Sequence, residues 1–430
     1  MITTLVLFGS LFLLMAIAMP VAFAVGLAAA AALTVLPRVN FEVIVSRMFS
    51  GIDSFLIVSI LLFLLLGEIM EQARITDRLV AFAQALVGRW RGGLVHTAIV
   101  TNMAMSGVSG SGAADAAATG ATLIPAMKQA GYPGPFSAAI IGAASTIGPV
   151  IPPSILMVVY ASIANVSVGR MFLAGIVPGL LMGLSLMLFT AIAVRRGRLR
   201  GIAQATEVSL ARSTRLALPV LIAPLIIVAG IVGGVFTATE SAAIACLYAL
   251  LLGMVLYRTI RMKDLGSIFV RTSIVSAKVM FIVATASVFS WILARAGVAD
   301  QIATLPFFDQ GTSPWVILLA LNVILFVLGM PMDSLPILLI ITPMILPIAL
   351  SAGIDPIHLG IVMTVNLSLG LASPPFGTSM FVLTGIARCT LLQFTREVWQ
   401  PLIALLIVLL LISQFPWLSL ALPNWLMGPG

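Results

Sequence analysis

Two stretches of this chain set Gly, Pro, Ser and a carboxylate into otherwise apolar sequence. The first is SGVSGSGAAD, Ser106 to Asp115, followed by IGPVIPPS, Ile147 to Ser154. The second is GMPMDS, Gly329 to Ser334, followed by LGLASPPFG, Leu369 to Gly377. They occupy corresponding places in the two halves of the chain. A broken helix leaves carbonyls without partners at the end of one half-helix and N–H groups without partners at the start of the next. The carbonyls suit a hard cation such as Na⁺, while the N–H end, with its positive dipole, favours an anion. The chemistry that paired breaks of this kind serve is ion-coupled movement of a charged solute.

The candidate residues follow from that division. Ser106, Ser109 and Gly110 at the first break offer hydroxyl and carbonyl oxygens, and Gly148 of the next segment completes a Na⁺ shell. By pseudo-symmetry Gly329, Pro331, Asp333, Gly370 and Ser373 form a second one. Ser111, Asp115, Thr146, Asn366, Ser368 and Thr378 are the candidate substrate contacts. The plainer reading is that Gly, Ser and Pro only permit close helix packing and kinks; two symmetric pairs favour ion or substrate contact. A carboxylate left at the bilayer centre costs at least ~2.5 kcal/mol, so Asp115 and Asp333 need a reason to be there. Each follows a break closely, so each can cap the N–H groups of the next helix, or else ligate a cation or carry a proton. Capping is favoured for Asp115, and both readings stand for Asp333. Glu240, after Thr237 and Thr239 in GVFTATESAAIA, reads as a cap, and Lys278 as an interfacial lysine. No Arg lies inside the interrupted segments, so a bidentate clamp on a carboxylate is not evident.

The elements that position these residues are membrane spans. The chain is 61% hydrophobic and 8% charged, against roughly 25% charged in soluble domains. Apolar runs near the ~20 residues that cross a bilayer recur from end to end, which makes an all-α polytopic membrane protein. The opening MITTLVLFGSLFLL lacks a basic region and reads as a span, not a cleaved signal. The first half divides into 2–18, 20–36, 52–71, an interrupted 92–127, an interrupted 137–167 and 170–194. The second divides into 216–235, 239–257, 272–297, an interrupted 314–350, an interrupted 356–387 and a last span near 398–421. A split at Met19-Pro20 competes with one kinked helix over 2–36, and the repeat favours the split. The segments 92–127 and 314–350 are too short for two full spans each, so each reads as a re-entrant hairpin. Residues 1–195 and 216–430 then form an inverted-topology repeat, each of about five spans plus one hairpin, joined by a basic linker at 196–215.

Charge orients the molecule. The net charge of +8 is concentrated in short loops, with Arg195, Arg196, Arg198, Arg200, Arg212 and Arg215 in one and Arg258, Arg261 and Lys263 in another. That is the mark of a cytoplasmic face, not of a nucleic-acid patch. Loops 72–91, 128–136, 258–271 and 388–397 share that side, whereas 298–313 and 350–356 carry Asp300, Asp309 and Asp355 and no Lys or Arg. Only Arg38, Arg47 and Arg170 run against the trend. The first hairpin therefore opens to the cytoplasm, the second to the outside, and both termini lie outside. Cys246 and Cys389 have neither metal spacing nor a disulfide framework, and His96 and His358 are too scattered for a metal site. There is no P-loop and no Ser-His pairing suited to an intramembrane protease, so an enzyme is not expected.

These residues resemble the large membrane subunit of tripartite ATP-independent periplasmic (TRAP) transporters, the dicarboxylate-type M subunit family. The likeness runs through nearly the whole chain, in Arg91-Gly92-Gly93-Leu94, SGVSGSGAADAAATG, IPAMKQAGY, IGPVIPPSI, FLAGIVPGL, GVFTATESAA and GMPMDSLP. Two departures occur. Ala238 stands where the family's FTPTE has Pro, which is expected to loosen a helix start, and Ala104-Met105 stand where the family usually has an aromatic nearby. The resemblance implies an ion-transporter-like fold in which a transport domain slides against a scaffold, elevator fashion. It implies Na⁺-driven import of a small organic anion, such as a dicarboxylate or sialic acid, across the bacterial inner membrane. It also implies two partners, a small four-span membrane subunit and a periplasmic substrate-binding protein, besides the surrounding lipid. The alternatives are a stand-alone Na⁺/dicarboxylate symporter, an ion channel and a non-transporting scaffold.

Overall fold

The computed structural model describes residues 2–36, 39–197, 209–303 and 312–428, and all regular structure among them is helical. Arg38, Arg198, Arg200 and Asp309 lie outside the described residues, as does the side chain of Asp300. The first half runs α1 (Ile2–Ala16), α2 (Val21–Thr34), α3 (Glu42–Ile52), α4 (Phe55–Gln72), α5 (Ile75–Val87), α6 (Gly93–Ser109), α7 (Gly112–Gln129), α8 (Gly134–Ser145), α9 (Ile155–Ala164) and α10 (Val168–Arg195). The second runs α11 (Leu210–Val232), α12 (Ala238–Leu251), α13 (Leu265–Arg295), α14 (Val298–Ala303), α15 (Pro314–Gly329), α16 (Ser334–Ser351), α17 (Pro356–Gly370), α18 (Thr378–Ala387), α19 (Leu391–Gln414) and α20 (Trp417–Met427).

The split at Met19-Pro20 is present. The chain reverses at Ala18, which takes φ 61, and Pro20 precedes α2, which packs back along α1. Pro lacks the N–H that a continuous helix would need there. Hairpin 1 is α6–α7 and hairpin 2 is α15–α16. At ~1.5 Å per residue, arms of 16 to 18 residues fall short of the ~30 Å hydrocarbon core or barely reach it. Ser334–Ser351 is long and apolar enough to cross by itself, but it packs against α15 and α17 as the second arm of its hairpin. The broken segments are α8–α9 and α17–α18.

The two halves repeat each other in their packing. The α6–α8 and α7–α8 contacts of the first half recur as α15–α17 and α16–α17. Across the halves, α7–α18 is matched by α16–α9, α8–α19 by α17–α10, and α2–α13 by α12–α4. Pairs that map onto themselves, α4–α13 and α10–α19, lie where a pseudo-two-fold axis passes. A helix apolar on every side belongs in the centre, and α17 is buried from Ile357 to Gly370, as α8 is from Phe136 to Ser145. Helix α10 carries Gly175, Gly179 and Gly183 on one face. A Cβ there would stand 2.4 Å from Val150 O, 2.3 Å from Ile151 Cγ1 and 2.3 Å from Met103 Sδ respectively. Small residues at this spacing let helices approach without any help from water.

Cross-loop contacts sort the loops as their charges do. On one side Arg271 pairs with Glu68 at 3.4 Å, Arg78 stacks over Tyr257 and Lys128 Nζ donates to Ala387 O. On the other, Arg170 donates to Gly428 O and Asn424 Oδ1, and Tyr160 OH donates to Pro356 O. His358 joins α17 to α20 through Ser419 Oγ at 2.7 Å on that side.

Some elements differ from the sequence expectation. Helix α11 begins at Leu210, so Arg212 and Arg215 sit in its first turns instead of in a loop. The last segment is two helices, α19 and α20, because Phe415-Pro416 interrupts it. Helices α3, α5 and α14 occupy stretches read as loops. The α5 residues Ile75, Leu79, Val80, Ala83 and Val87 bury one stripe, the pattern of a surface helix lying along its neighbours.

Candidate functional site

The tip of hairpin 1 is built by its glycines. Gly110 takes φ 61, and a Cβ there would stand 2.8 Å from Pro153 O, so only glycine lets the tip seat against the α8–α9 break. Its N–H reaches Ser106 O at 3.4 Å. Ser106 and Thr146, both buried, turn their hydroxyl protons inward to Asn102 O (2.6 Å) and Ala143 O (2.7 Å). Only the lone pairs of these two side chains remain to offer a cation.

Asp115 is the centre of this site. It is fully buried, and its Oδ1 accepts from Ser109 Oγ at 2.5 Å, while Ser109 Oγ accepts from the N–H of Ser111 at 3.2 Å. The expectation that Asp115 caps α7 is not met. The cap position is Ser111, without a side-chain cap bond, and Asp115 lies a full turn into the helix. Its second oxygen, Oδ2, is buried with no hydrogen-bond partner. That oxygen faces Gly148, where an added Cβ would stand 2.6 Å from it and 3.1 Å from Gly112 N. A buried charge left half-satisfied is costly unless something positive meets it.

The second site has the same plan and different chemistry. Asp333 is exposed at the tip of hairpin 2, and its Oδ1 accepts from Ser334 N at 2.8 Å, so here the carboxylate is a helix cap. Pro331 is exposed beside it. Gly329 and Gly370 meet backbone to backbone, since a Cβ on Gly370 would stand 2.5 Å from Gly329 O. Ser334 Oγ donates to Leu367 O at 3.0 Å and Ser373 Oγ to Leu369 O at 2.7 Å. Asn366 donates to both Asn322 O and Asn322 Oδ1 at 2.9 Å, and its own Oδ1 is buried without a partner. Ser368 turns its proton to Thr364 O at 2.6 Å, and Thr378 is exposed at the first turn of α18. Next to it the Ser379 hydroxyl is buried and unpaired.

The two breaks lie on neighbouring elements. The Leu371 side chain, just past the end of α17, reaches Gly112 at the start of α7, so an apolar contact stands between them. A cavity of about 220 Å³ opens on the hairpin 1 side, lined among others by Glu68, Glu71, Thr76, Ser109, Ser111 and Thr272. No described residue of hairpin 2 lines it. On the hairpin 2 side α16 runs along α13, with Ser290 Oγ donating to Leu339 O at 3.2 Å, and a second cavity of about 210 Å³ lies between them, lined among others by Ser287, Ser290, Leu339 and Pro343. No group of three or more His, Cys, Asp or Glu that can hold a metal occurs among the described residues.

The chain matches, over residues 8–418, the family described as Tripartite ATP-independent periplasmic transporter, DctM component. It belongs to that family. It is 39% identical to the C4-dicarboxylate TRAP transporter large permease protein DctM of Pseudomonas aeruginosa, over 88% of this chain and 89% of that one. It is 36% identical to the sialic acid TRAP transporter large permease protein SiaM of Vibrio cholerae, over 99% of both. The fold is similar to that of the Alcanivorax borkumensis YdaH transporter, with a TM-score of 0.61 and 17% identity, covering 90% of this chain and 89% of that one. This DctM-family subunit is thus a multi-pass membrane permease component with an ion-transporter-like fold. The Ala238 departure does not loosen its helix start. Thr237 Oγ1 accepts from Glu240 N and Glu240 Oε2 accepts from Thr237 N at 2.8 Å, a complete capping box.

Sequence reasoning missed several residues of this region. Glu68, Glu71 and Thr272 line the cavity, and Asn102, Thr119, Asn322 and Ser334 tie hairpin to broken helix or arm to arm. The signal for Glu68 and Glu71 was two carboxylates at the end of an apolar span, and that for Asn322 a lone amide within one.

Proposed function

We propose that this subunit imports a small organic anion with Na⁺, and that the observation carrying the reading is the buried, half-paired carboxylate of Asp115 at the tip of hairpin 1. Asp115 Oδ2 has no partner and faces a break whose glycine leaves room beside it, which suits a hard monovalent cation. Ser109 and Gly148 flank it, and Ser106 and Gly110 belong to the same hairpin tip; in the second half Asn366, Gly370, Ser373 and Ser379 supply the equivalent oxygens, with Asp333 and Pro331 at the rim. Na⁺, when bound, supplies the positive charge that Asp115 otherwise lacks and draws tip and break together. Ser109 orients the carboxylate, and the glycines allow the backbones to close. Ser111, which lines the cavity, and Thr378, exposed at a half-helix start, are placed to meet the anion; Thr146, Asn366 and Ser368 support them from within.

The mechanism is an elevator. Hairpins and broken helices form the moving body, and α1–α4 and α11–α13 the scaffold. Both termini are periplasmic and the membrane is the bacterial inner membrane. The partners are a small four-span subunit and a periplasmic binding protein. Relatives named for C4-dicarboxylates, sialic acid, 2,3-diketo-L-gulonate and isethionate support a small organic anion as cargo. The test is uptake into liposomes holding this chain and its small partner, with a labelled organic acid on the binding protein outside. Accumulation should require both the binding protein and an inward Na⁺ gradient, with K⁺ unable to substitute. Uptake without the binding protein points to a stand-alone symporter, and downhill conductance without saturable uptake to a channel; either outcome overturns the reading.

A further inference from the structure

The second arms of the two hairpins each carry a proline ten residues after the site carboxylate, Pro125 after Asp115 in α7 and Pro343 after Asp333 in α16. A proline inside a helix has no N–H to give, so the carbonyl four residues back loses its donor. Those carbonyls are Ala121 O and Leu339 O. Leu339 O is met from outside its own helix, by the Ser290 hydroxyl of α13 at 3.2 Å. Among the described residues, no other carbonyl freed by a proline inside a helix receives a side-chain donor from another helix. A serine in a helix commonly turns its proton to its own preceding turn, as Ser106 does to Asn102 O, Ser373 to Leu369 O and Ser413 to Leu409 O. Ser290 reaches across to α16 instead. The cavity of about 210 Å³ that Ser290, Leu339 and Pro343 line leaves the wall around this bond unfilled, so close packing does not by itself fix the register of α16 on α13. The counterpart Ala121 is exposed, and no side chain of a described residue donates to its carbonyl.

We propose that Ser290 is a positioning residue of the transport cycle: its bond to the carbonyl freed by Pro343 holds the second arm of hairpin 2 in register on α13, and the arm gives that bond up when it slides. The proposal rests on the elevator reading above and adds the contact that sets how long this arrangement persists. A carbonyl without a donor away from water is costly, so leaving Ser290 raises the energy of the arm until the carbonyl is met again. One directional bond to a fixed backbone atom can be broken and remade in every cycle without repacking side chains. The repeat supplies hairpin 1 with an equivalent acceptor, Ala121 O, that no scaffold side chain meets in this arrangement. One arm is tied and the other is not, the asymmetry expected when the two arms take turns.

The experiment uses the purified full chain with its two native cysteines replaced, and with Ser162→Cys on α9 paired with Ser287→Cys on α13. Both positions line the cavity beside Ser290, one on the moving body and one on the scaffold, so a short bis-thiol reagent links them in the present register. S290A should slow linkage by about two- to five-fold, the upper figure being the factor one hydrogen bond supplies. S290T keeps the hydroxyl and should link at the parental rate. P343A gives Leu339 O a backbone donor, so it should slow linkage too, and S290A added to it should slow it little further. Two unrelated packing defects would multiply instead. Linkage that ignores the Ser290 hydroxyl, that S290A slows equally with and without Pro343, or that fails in the parental pair overturns the proposal and leaves the elevator reading intact. Linked chain that still imports when reconstituted with its small partner overturns both, because the moving body would have no need to leave α13.

Discussion

The position that tests the site most directly is Gly148. It stands in a turn with an ordinary backbone conformation, so alanine brings no φ penalty and acts through space alone. The added Cβ would lie 2.6 Å from Asp115 Oδ2, whereas ordinary contact begins near 3.4 Å, so a retreat of about 0.8 Å is required. Asp115 cannot yield freely, because Ser109 holds its other oxygen at 2.5 Å. The backbone of Gly112 is next in line at 3.1 Å, so the tip of hairpin 1 must lift from the break. Overpacking of this kind costs about 1–3 kcal/mol. If that cost falls on the closed, ion-holding arrangement, half-saturating Na⁺ for uptake rises by roughly five-fold or more, since ~1.4 kcal/mol is ten-fold. The assay is Na⁺-dependent accumulation by the reconstituted complex, with Gly385→Ala as control, because a Cβ there meets nothing within 4 Å. Wild-type Na⁺ dependence in Gly148→Ala, at normal expression and unfolding temperature, refutes the assignment of a cation to the space between Asp115 and the break.

Other outcomes follow from the same geometry. Ser109→Ala removes the hydroxyl that orients Asp115 and should raise half-saturating Na⁺ by about ten-fold, the low end of what a hydrogen bond to a buried charge supplies, with a small change in unfolding temperature. Gly370→Ala should abolish transport and lower the unfolding temperature by several degrees, because its Cβ would meet the Gly329 carbonyl oxygen at 2.5 Å and backbone cannot turn aside; normal transport by this variant would show that hairpin 2 does not seat on α17 as described. In a chain whose two native cysteines are replaced, Trp425→Cys should react with a membrane-impermeant maleimide on intact cells and Arg89→Cys only after permeabilisation, both residues being exposed. The reverse labelling would invert the orientation of both hairpins.

Part of the site was written in residue types. Asp115, Ser109, Gly110 and Gly148 were marked by a carboxylate, hydroxyls and glycines standing where an apolar span should continue, and the structure brings them together. The role of Asp115 was not legible. A carboxylate soon after a helix break is compatible with capping, and only the path of the chain decides whether it reaches the free N–H groups. At Asp333 it does, through Ser334 N, while Asp115 is one turn too late and turns instead to Ser109. The cavity carboxylates Glu68 and Glu71 lay at the end of a span, where a charged residue is ordinary, and nothing local set them apart from interfacial charge.

Hydropathy by itself determined the helical membrane class, the two-fold repeat and the hairpins. It does so because hydrocarbon tolerates unpaired backbone almost nowhere, so length and interruption of apolar runs leave few architectures. Tertiary structure alone decided which break faces which tip, that Leu371 stands between the two halves of the site, and which residues line the cavities beside hairpin 1 and between hairpin 2 and α13. Those features depend on contacts between residues hundreds of positions apart, which no local pattern of residue types records.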